Sequence, residues 1–193
     1  MINRELYMEQ ITPFIDKPFV KVITGIRRCG KSVVLRLIRE ELLRRGVSED
    51  YIIYMNFESF EWIDMKEAKA LYAHIREATK ASGKYYILLD EIQEVTDWEK
   101  AVNAFLVDLD VDIYVTGSNS RLLSSEFSTY LAGRYVAFHI MTLSFREYLL
   151  FHDLPLTISV SDRKTEFLKY LRMGGFPAIH TANYDYNAIY KIV

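Results

Sequence analysis

The chain has 193 residues, a length that suffices for one α/β domain with a substantial core. Its formal net charge of −2 gives no indication of a nucleic-acid partner. Its single cysteine, Cys29, excludes an internal disulfide and a zinc cluster and favours a reducing, cytoplasmic location. No apolar run is long enough to span a bilayer, and the charged N-terminus MINRELYMEQ has no signal-peptide core. We therefore expect a cytoplasmic protein without a membrane partner.

Short apolar runs alternate with segments of helical period along most of the chain, which is the pattern of a parallel α/β sheet. The predicted strands cover residues 19–24, 51–57, 85–90, 111–116 and 135–140. The predicted helices cover residues 3–15, 32–45, 64–80, 98–109, 120–131 and 145–151. Asp97 and Ser144 stand immediately before two of these helices and are predicted N-caps.

The pattern changes beyond residue 155. A further amphipathic helix is predicted over residues 161–173, and Gly-Gly-Phe-Pro at 174–177 interrupts it. The remaining residues begin another apolar helical pattern that runs to the last residue. We expect residues 1–155 to form the main domain and residues 156–193 to form a helical extension, the start of a truncated C-terminal region of a longer protein.

The loop after the first predicted strand fits the phosphate-loop pattern G-x-x-x-x-G-K-[ST] at every position. Its glycines let backbone N–H groups turn toward phosphate oxygens, and the following helix adds its positive dipole end. Lys31 would reach the β- and γ-phosphates of a nucleotide and be exposed in the empty site, while the Ser32 hydroxyl would ligate magnesium. The predicted phosphate-binding residues are Gly25, Ile26, Arg27, Arg28, Cys29, Gly30, Lys31, Ser32 and Val33.

Three of these loop residues have a second interpretation. Arg27 and Arg28 would either contact phosphate or remain solvated or paired within the protein. Cys29 is interpreted as a small loop residue rather than a nucleophile. Its position beside a helix N-terminus predicts a lowered pKa, so that alkylation of the thiol would block the site.

The third predicted strand, Tyr-Tyr-Ile-Leu-Leu-Asp, is apolar until its last residue and is followed by a glutamate. Asp90 at the strand end would serve magnesium, usually through a water. Glu91 would orient and polarise the attacking water. The Asp-Glu pair favours an ATPase of the additional-strand type over a kinase or a switch, and the sequence lacks the Asn-Lys-x-Asp motif that would indicate GTP.

Polar residues at the ends of other strands are candidate accessory groups. Asn119, or as second choice Ser118, would face the γ-phosphate as a sensor; the alternative is an ordinary polar turn. Asn56 would hydrogen-bond Glu91 and hold it away from water, or is simply a strand-end asparagine. Arg134 would stabilise charge on the transferring phosphoryl group, in cis or across a subunit boundary, or compensates a helix dipole.

The assembled motifs resemble the AAA-type ATPase domain of bacterial and archaeal proteins whose C-terminal half is a domain of unknown function. The matching segments are TGIRRCGKS (24–32), LLDEIQ (89–94), TGSNSRLLSSEFSTYLAGRY (116–135), LSFREYL (143–149) and GGFP (174–177). The resemblance implies an additional-strand P-loop fold with strand order 5-1-4-3-2. It also implies phosphate binding by residues 25–32, magnesium binding by Asp90, water activation by Glu91 and a sensor at Asn119 or Ser118. Members of this family are usually about twice as long, and their C-terminal half would carry the output that the ATPase drives.

The leading hypothesis is therefore magnesium-dependent binding and hydrolysis of ATP that drives an attached domain or a partner. That partner could be a second copy of the chain in a homo-oligomer. One alternative is a small-molecule kinase, although no lid segment is evident. A second is a nucleotide-binding switch with little hydrolysis. A third is a DNA-associated ATPase that uses the basic residues of the helix at 32–45; the glutamates interspersed among them favour a solvated helix face. These basic residues are Arg36, Arg39, Arg44 and Arg45.

Overall fold

A parallel sheet of five strands forms the centre of the fold. The computed structural model describes residues 4–118, 122 and 130–181. The strands are β1 (Val20–Gly25), β2 (Ile52–Asn56), β3 (Tyr85–Asp90), β4 (Val111–Gly117) and β5 (Tyr135–Ile140). Their order across the sheet is β2-β3-β4-β1-β5, all parallel. This confirms the predicted order 5-1-4-3-2, which is the same order counted from the other edge.

The three central strands are buried along almost their whole length, whereas the two edge strands are only partly buried. Parallel strands with helices on both faces need apolar side chains in both directions, which explains the near-continuous apolar run of β3. Successive residues of β3 alternate accordingly: Ile87 and Leu89 face one layer of the core, and Tyr86 and Leu88 face the other.

Helices cover both faces of the sheet. The described residues include α1 (Glu5–Ile11), α2 (Lys31–Arg44), α3 (Ala68–Ala78), α4 (Trp98–Asp108), α5 (Phe145–Phe151), α6 (Val160–Met173) and α7 (Pro177–Thr181). Buried residues of α1 and α2 join one core layer, and buried residues of α3 and α4 join the other. None of the helices within the described residues is long and apolar enough to cross a membrane.

The helix ends show where local pattern and structure agree. Ser144 caps α5 with a complete capping box, because its side chain accepts from the Glu147 N–H while the Glu147 carboxylate accepts from the Ser144 N–H. Asp97 does precede α4, but it adopts a left-handed conformation and makes no capping bond with its side chain. Its carboxylate pairs with Lys100 instead, at 2.8 Å.

One predicted helix was placed less accurately, and two others lie largely outside the described residues. The helix expected over residues 64–80 is divided into a 3₁₀ segment, Phe60–Met65, and α3. Most of the helix expected near 120–131 lies outside the described residues. The same holds for most of the helical pattern expected from residue 178 to the end, although α7 (Pro177–Thr181) covers its beginning.

Candidate nucleotide-binding site

The connection from β1 to α2 has the geometry of a phosphate loop. Both elements pack in the core, and the loop between them lies at the carboxyl end of β1. Gly25 approaches β5 so closely that a Cβ atom there would lie 2.3 Å from the Ile140 carbonyl oxygen. A side chain at this position would push β1 and β5 apart, which explains why the first position of the motif requires glycine.

Lys31 is buried, which corrects the expectation that its side chain would be exposed in the absence of nucleotide. Its ammonium group lies 3.3 Å from the Gly25 carbonyl oxygen and 3.4 Å from that of Ile26. It also forms an ion pair with Glu91, at 3.2 Å from Oε1. The loop lysine therefore folds back onto the loop and onto the acidic strand end, because a buried ammonium must be compensated by nearby acceptors.

Asp90 is fully buried at the end of β3. Its Oδ1 accepts a hydrogen bond from the Thr116 hydroxyl at 2.5 Å, and its Oδ2 accepts one from the Tyr54 hydroxyl at 3.0 Å. Burial and the Asp90 charge raise the pKa of Tyr54, so its hydroxyl stays a donor. Two neighbouring strands thus hold this carboxylate in one orientation.

Glu91 follows β3 in a left-handed conformation, with φ of 55°. Its backbone N–H donates to the Thr116 hydroxyl oxygen at 2.9 Å. Its carboxylate is held on both oxygens, by Lys31 at Oε1 and by the Gln93 amide at 2.6 Å from Oε2. The turn after β3 therefore aims the acid at the phosphate loop.

Asn56 does not hold Glu91. Its side-chain oxygen accepts a hydrogen bond from the Glu58 N–H at 2.9 Å and shapes the turn after β2. The amide that contacts the acid belongs to Gln93, in the 3₁₀ turn Ile92–Glu94. The structure therefore supports the strand-end interpretation of Asn56.

The sensor position lies at the end of β4, between β1 and β3 as expected. Ser118 follows β4 directly, and its carbonyl oxygen accepts from the Leu122 N–H at 3.1 Å. Asn119, the first choice for a sensor, lies outside the described residues. Its role stays a prediction.

Arg134 lies at the amino ends of the strands, whereas the phosphate loop lies at their carboxyl ends. Its carbonyl oxygen accepts from the Val20 N–H at the beginning of β1, five residues before Gly25, a distance of about 16 Å along an extended strand. Its exposed guanidinium donates to the Asn103 side-chain oxygen at 3.1 Å. The structure does not bring Arg134 to this chain's own site, which disfavours a role in cis.

The other loop residues behave as ordinary surface and core groups. Arg27 is exposed and lies 3.4 Å from Glu58, the intramolecular pairing that the sequence left open, while Arg28 is exposed. Cys29 is fully buried, and burial raises the pKa of its thiol. This contradicts the expectation of a lowered pKa, because desolvation of the thiolate outweighs the nearby positive charges of Lys31 and Arg4.

Sequence reasoning missed Arg4. It is buried behind the phosphate loop, where its guanidinium donates to the carbonyl oxygens of Cys29 at 3.0 Å and Met141 at 2.8 Å. Its Nε lies 2.6 Å from Glu147 Oε1. An arginine near the N-terminus carries no local signal of this kind, because its partners lie 25 and 137 or more residues away.

Sequence reasoning also missed Tyr54, Thr116 and Gln93. The signal for Gln93 was its place in the LLDEIQ segment, two residues after Glu91. The two hydroxyl residues sit inside apolar strands, where their types alone do not distinguish a site from a core.

A cavity of about 680 Å³ opens beside the phosphate loop. Gly30 and Val33 line it on the loop side, and Phe151 and Pro177 line it on the side of the C-terminal helices. A volume of this size accommodates a nucleoside. The predicted contact at Val33 therefore borders a space large enough for a base and ribose.

The basic face of α2 is largely neutralised within the chain. Arg44 and Arg45 each lie 2.8 Å from Glu41, and Arg39 pairs with Glu49. Hydrogen bonds from the two arginines lower the pKa of Glu41 to about 2. This pairing supports a solvated helix face.

The sheet order, the loop after β1 and the acidic end of β3 together define a P-loop nucleoside-triphosphatase fold of the additional-strand type. The AAA domain family model matches residues 17–149, so the chain belongs to this family. These findings support nucleotide binding and hydrolysis as its general activity.

Two relatives are uncharacterised proteins. One, from Haemophilus influenzae, is 43% identical over 184 residues, which cover 95% of this chain and 46% of the relative. The other, from Methanocaldococcus jannaschii, is 35% identical over 184 residues, which cover 93% of this chain and 39% of the relative. The chain thus spans less than half the length of each.

Solved structures share the fold at low sequence identity. AMPPCP-bound DnaA from Aquifex aeolicus superposes with a TM-score of 0.59 at 16% identity, over 94% of this chain and 60% of that one. A RuvB variant from Thermotoga maritima superposes with a TM-score of 0.57 at 14% identity, over 93% of this chain and 59% of that one. At these identities the likeness establishes the fold alone.

Proposed function

We propose that the chain binds ATP with magnesium and hydrolyses it at the site formed by the phosphate loop and the end of β3. The observation that carries the proposal is the 3.2 Å contact between Lys31 and Glu91. It brings the loop lysine and the candidate base to one point, directly beside Asp90. Hydrolysis needs a phosphate-binding cation and a water-activating carboxylate at the same phosphate group.

Binding of the triphosphate exchanges one partner of Lys31 for another. In the structure the ammonium group is compensated by Glu91 and by two loop carbonyl oxygens. The β- and γ-phosphates carry more negative charge than one carboxylate and would attract the ammonium away from it. Glu91 would then be released toward a water molecule.

The residues present fit a magnesium ion. Ser32, in the first turn of α2, and Asp90 offer hard oxygen ligands. Each carboxylate oxygen of Asp90 accepts one hydrogen bond, from the hydroxyl of Thr116 or of Tyr54, and can accept a further contact. Ser32 would hold the ion directly, and Asp90 would hold it through water. The ion would neutralise charge that develops on the phosphate oxygens.

Glu91 acts on water. Its freed Oε1 accepts a proton from the water as the water oxygen bonds to the γ-phosphorus, and the bond from this phosphorus to the bridging oxygen breaks. The products are ADP and inorganic phosphate. The cavity beside Gly30 and Val33 would take the base and ribose of the nucleotide.

The test is nucleotide binding and phosphate release, measured for ATP and GTP with and without magnesium. Glu91→Gln should retain ATP binding and lose about two or more orders of magnitude in turnover. Glu94→Gln is the matched control, because Glu94 lies in the next turn and pairs with Lys66, at 3.8 Å. Unchanged turnover in Glu91→Gln would remove Glu91 from the mechanism, and absent magnesium-dependent release in the wild type would refute hydrolysis by this chain.

A nucleotide-binding switch is the second candidate. The pairing of Glu91 with Lys31 favours it, because the resting base is occupied. Binding without release would support this switch.

The output would belong to an attached C-terminal region, since the relatives are more than twice as long as the matched segment. Arg134 would act only across a subunit boundary in a homo-oligomer, because it is exposed at the far edge of the sheet. Mixing Arg134→Ala with Glu91→Gln would restore turnover if one copy supplies the arginine and another the base. If turnover is not restored, the role of Arg134 is structural.

A further inference from the structure

The turn after β3 contains an amide that the proposed mechanism does not use. Gln93 Nε2 donates to Glu91 Oε2 at 2.6 Å, while Lys31 occupies Oε1. Of these two groups, the lysine is the one that a bound triphosphate would attract. The amide contact would therefore persist after Lys31 has moved.

The Gln93 amide is held in one orientation by the end of β4. A Cβ atom at Gly117 would lie 2.1 Å from Gln93 Oε1, so the amide oxygen packs directly against this glycine. Gln93 Oε1 is buried and has no hydrogen-bond partner among the described residues. An inverted amide would direct its oxygen at the Glu91 carboxylate, which repulsion forbids. The unpaired oxygen is thus the cost of directing the NH₂ group at Glu91.

We propose that Gln93 is a positioning residue for Glu91 and that Gly117 provides the space in which the Gln93 amide lies. The proposal rests on the proposed hydrolytic function of Glu91. Gln93 retains Oε2 when the phosphates take Lys31, and Oε1 remains as the oxygen that meets water. One carboxylate oxygen is a fixed anchor and the other is the base.

The amide contributes orientation rather than nucleotide affinity. Gln93 contacts neither the phosphate loop nor the cavity beside it among the contacts of the described residues. Its loss should therefore lower kcat and leave KM for ATP unchanged. A residue that merely stabilised the fold would lower kcat only together with thermal stability, because fewer molecules would be folded.

The kinetic test compares Gln93→Met with Gln10→Ala. Methionine retains the length of the side chain, removes the donor and adds no unpaired polar atom of its own, and Gln10 is an exposed glutamine on α1. Gln93→Met should lower kcat about tenfold or more, as expected for a hydrogen bond to a charged group, with KM and thermal stability unchanged. A kcat within about twofold of wild type would overturn the proposal.

Gly117→Ala provides a second route to the same contact. The added methyl group must displace both the Gln93 amide and the buried Leu122 side chain, whose Cδ1 would lie 2.7 Å away, so this variant should also lose kcat. In a double-mutant cycle with Gln93→Ala, which removes the side-chain atoms that the methyl group would meet, Gly117→Ala should cost less further activity than it does in the wild type. Additive losses would show that Gly117 acts independently of Gln93.

The last measurement does not require turnover. The side-chain amide protons of Gln93, followed by NMR in the nucleotide-free protein, should shift when Glu91→Ala removes their acceptor and stay in place in Glu94→Gln. A wild type that releases no phosphate but shows this shift would refute the hydrolytic function while preserving the contact. An unchanged amide signal in Glu91→Ala would refute the contact itself.

Discussion

Arg4 and Glu147 form a buried ion pair, 2.6 Å between Nε and Oε1, that joins the N-terminal segment to α5. The same guanidinium donates to the Cys29 carbonyl oxygen, and the same carboxylate completes the capping box of Ser144. One ion pair thus connects the phosphate loop, the end of β5 and the helix that begins within the LSFREYL segment. This segment, whose role the sequence left undefined, supports the loop from behind.

Removal of one partner of this pair should be strongly destabilising. Arg4→Met should lower the free energy of unfolding by about 3 kcal/mol or more, because the Glu147 charge remains buried without its counter-ion. Urea denaturation measures the loss. Arg146→Met is the control, since Arg146 is exposed and lies 4.0 Å from Glu5. Equal stability of the two variants would contradict a structural role for the pair.

Lys31→Ala should abolish tight binding of ATP with magnesium. Its side chain is the group of the motif that brings a full positive charge to the β- and γ-phosphates. The folded state should persist, though less stable, because the carboxylate of Glu91 loses its ion-pair partner while Gln93 retains the other oxygen. Isothermal titration calorimetry measures binding, and wild-type affinity in the variant would refute the phosphate-loop assignment.

Stability should fall between neutral and mildly acidic pH because of His180. Its Nε2 lies 2.8 Å from the Gly174 carbonyl oxygen and therefore carries the proton, so Nδ1 accepts from His152 Nε2, at 3.2 Å. Burial lowers the pKa of His180 below its ordinary value of about 6.5. The unfolded state then binds more protons than the folded state. The stabilisation that neutral His180 contributes to the folded state is therefore fully present above pH ~6.5 and is lost as the pH falls through the lowered pKa.

The measurement is the free energy of unfolding across this window for wild type and His180→Gln. The variant should show a flatter dependence on pH, because it lacks the titrating ring. His74→Gln provides a control, since His74 packs edge-on against Trp62 in another part of the chain. Parallel curves for wild type and His180→Gln would contradict this assignment.

Cys29 should resist alkylation in the native protein. The thiol is fully buried and its pKa is raised, so little thiolate is present and reagent access requires opening of the loop. Labelling by iodoacetamide should be slow in buffer and fast in urea. In a Cys29→Ser background, Arg28→Cys should label rapidly, because position 28 is exposed. Rapid labelling of native Cys29 would show that the loop opens readily.

The elements with strong local patterns were predictable. β3 and β5 begin and end where their apolar runs predict, and α5 begins after Ser144 as its capping residues indicate. The boundaries at residues 60–80 were less accurate, because a 3₁₀ segment and an α-helix have similar apolar spacing over a few residues.

The sequence by itself determined the phosphate loop, the acidic end of β3 and the parallel sheet, because each depends on residue type and spacing within a short segment. Only the tertiary structure decided the partners of these groups. It pairs Lys31 with Glu91, assigns the amide contact to Gln93 rather than Asn56, and places Arg134 at the far edge of the sheet. These relationships depend on which strand ends meet and which charges must be compensated in the interior, and a linear pattern contains neither.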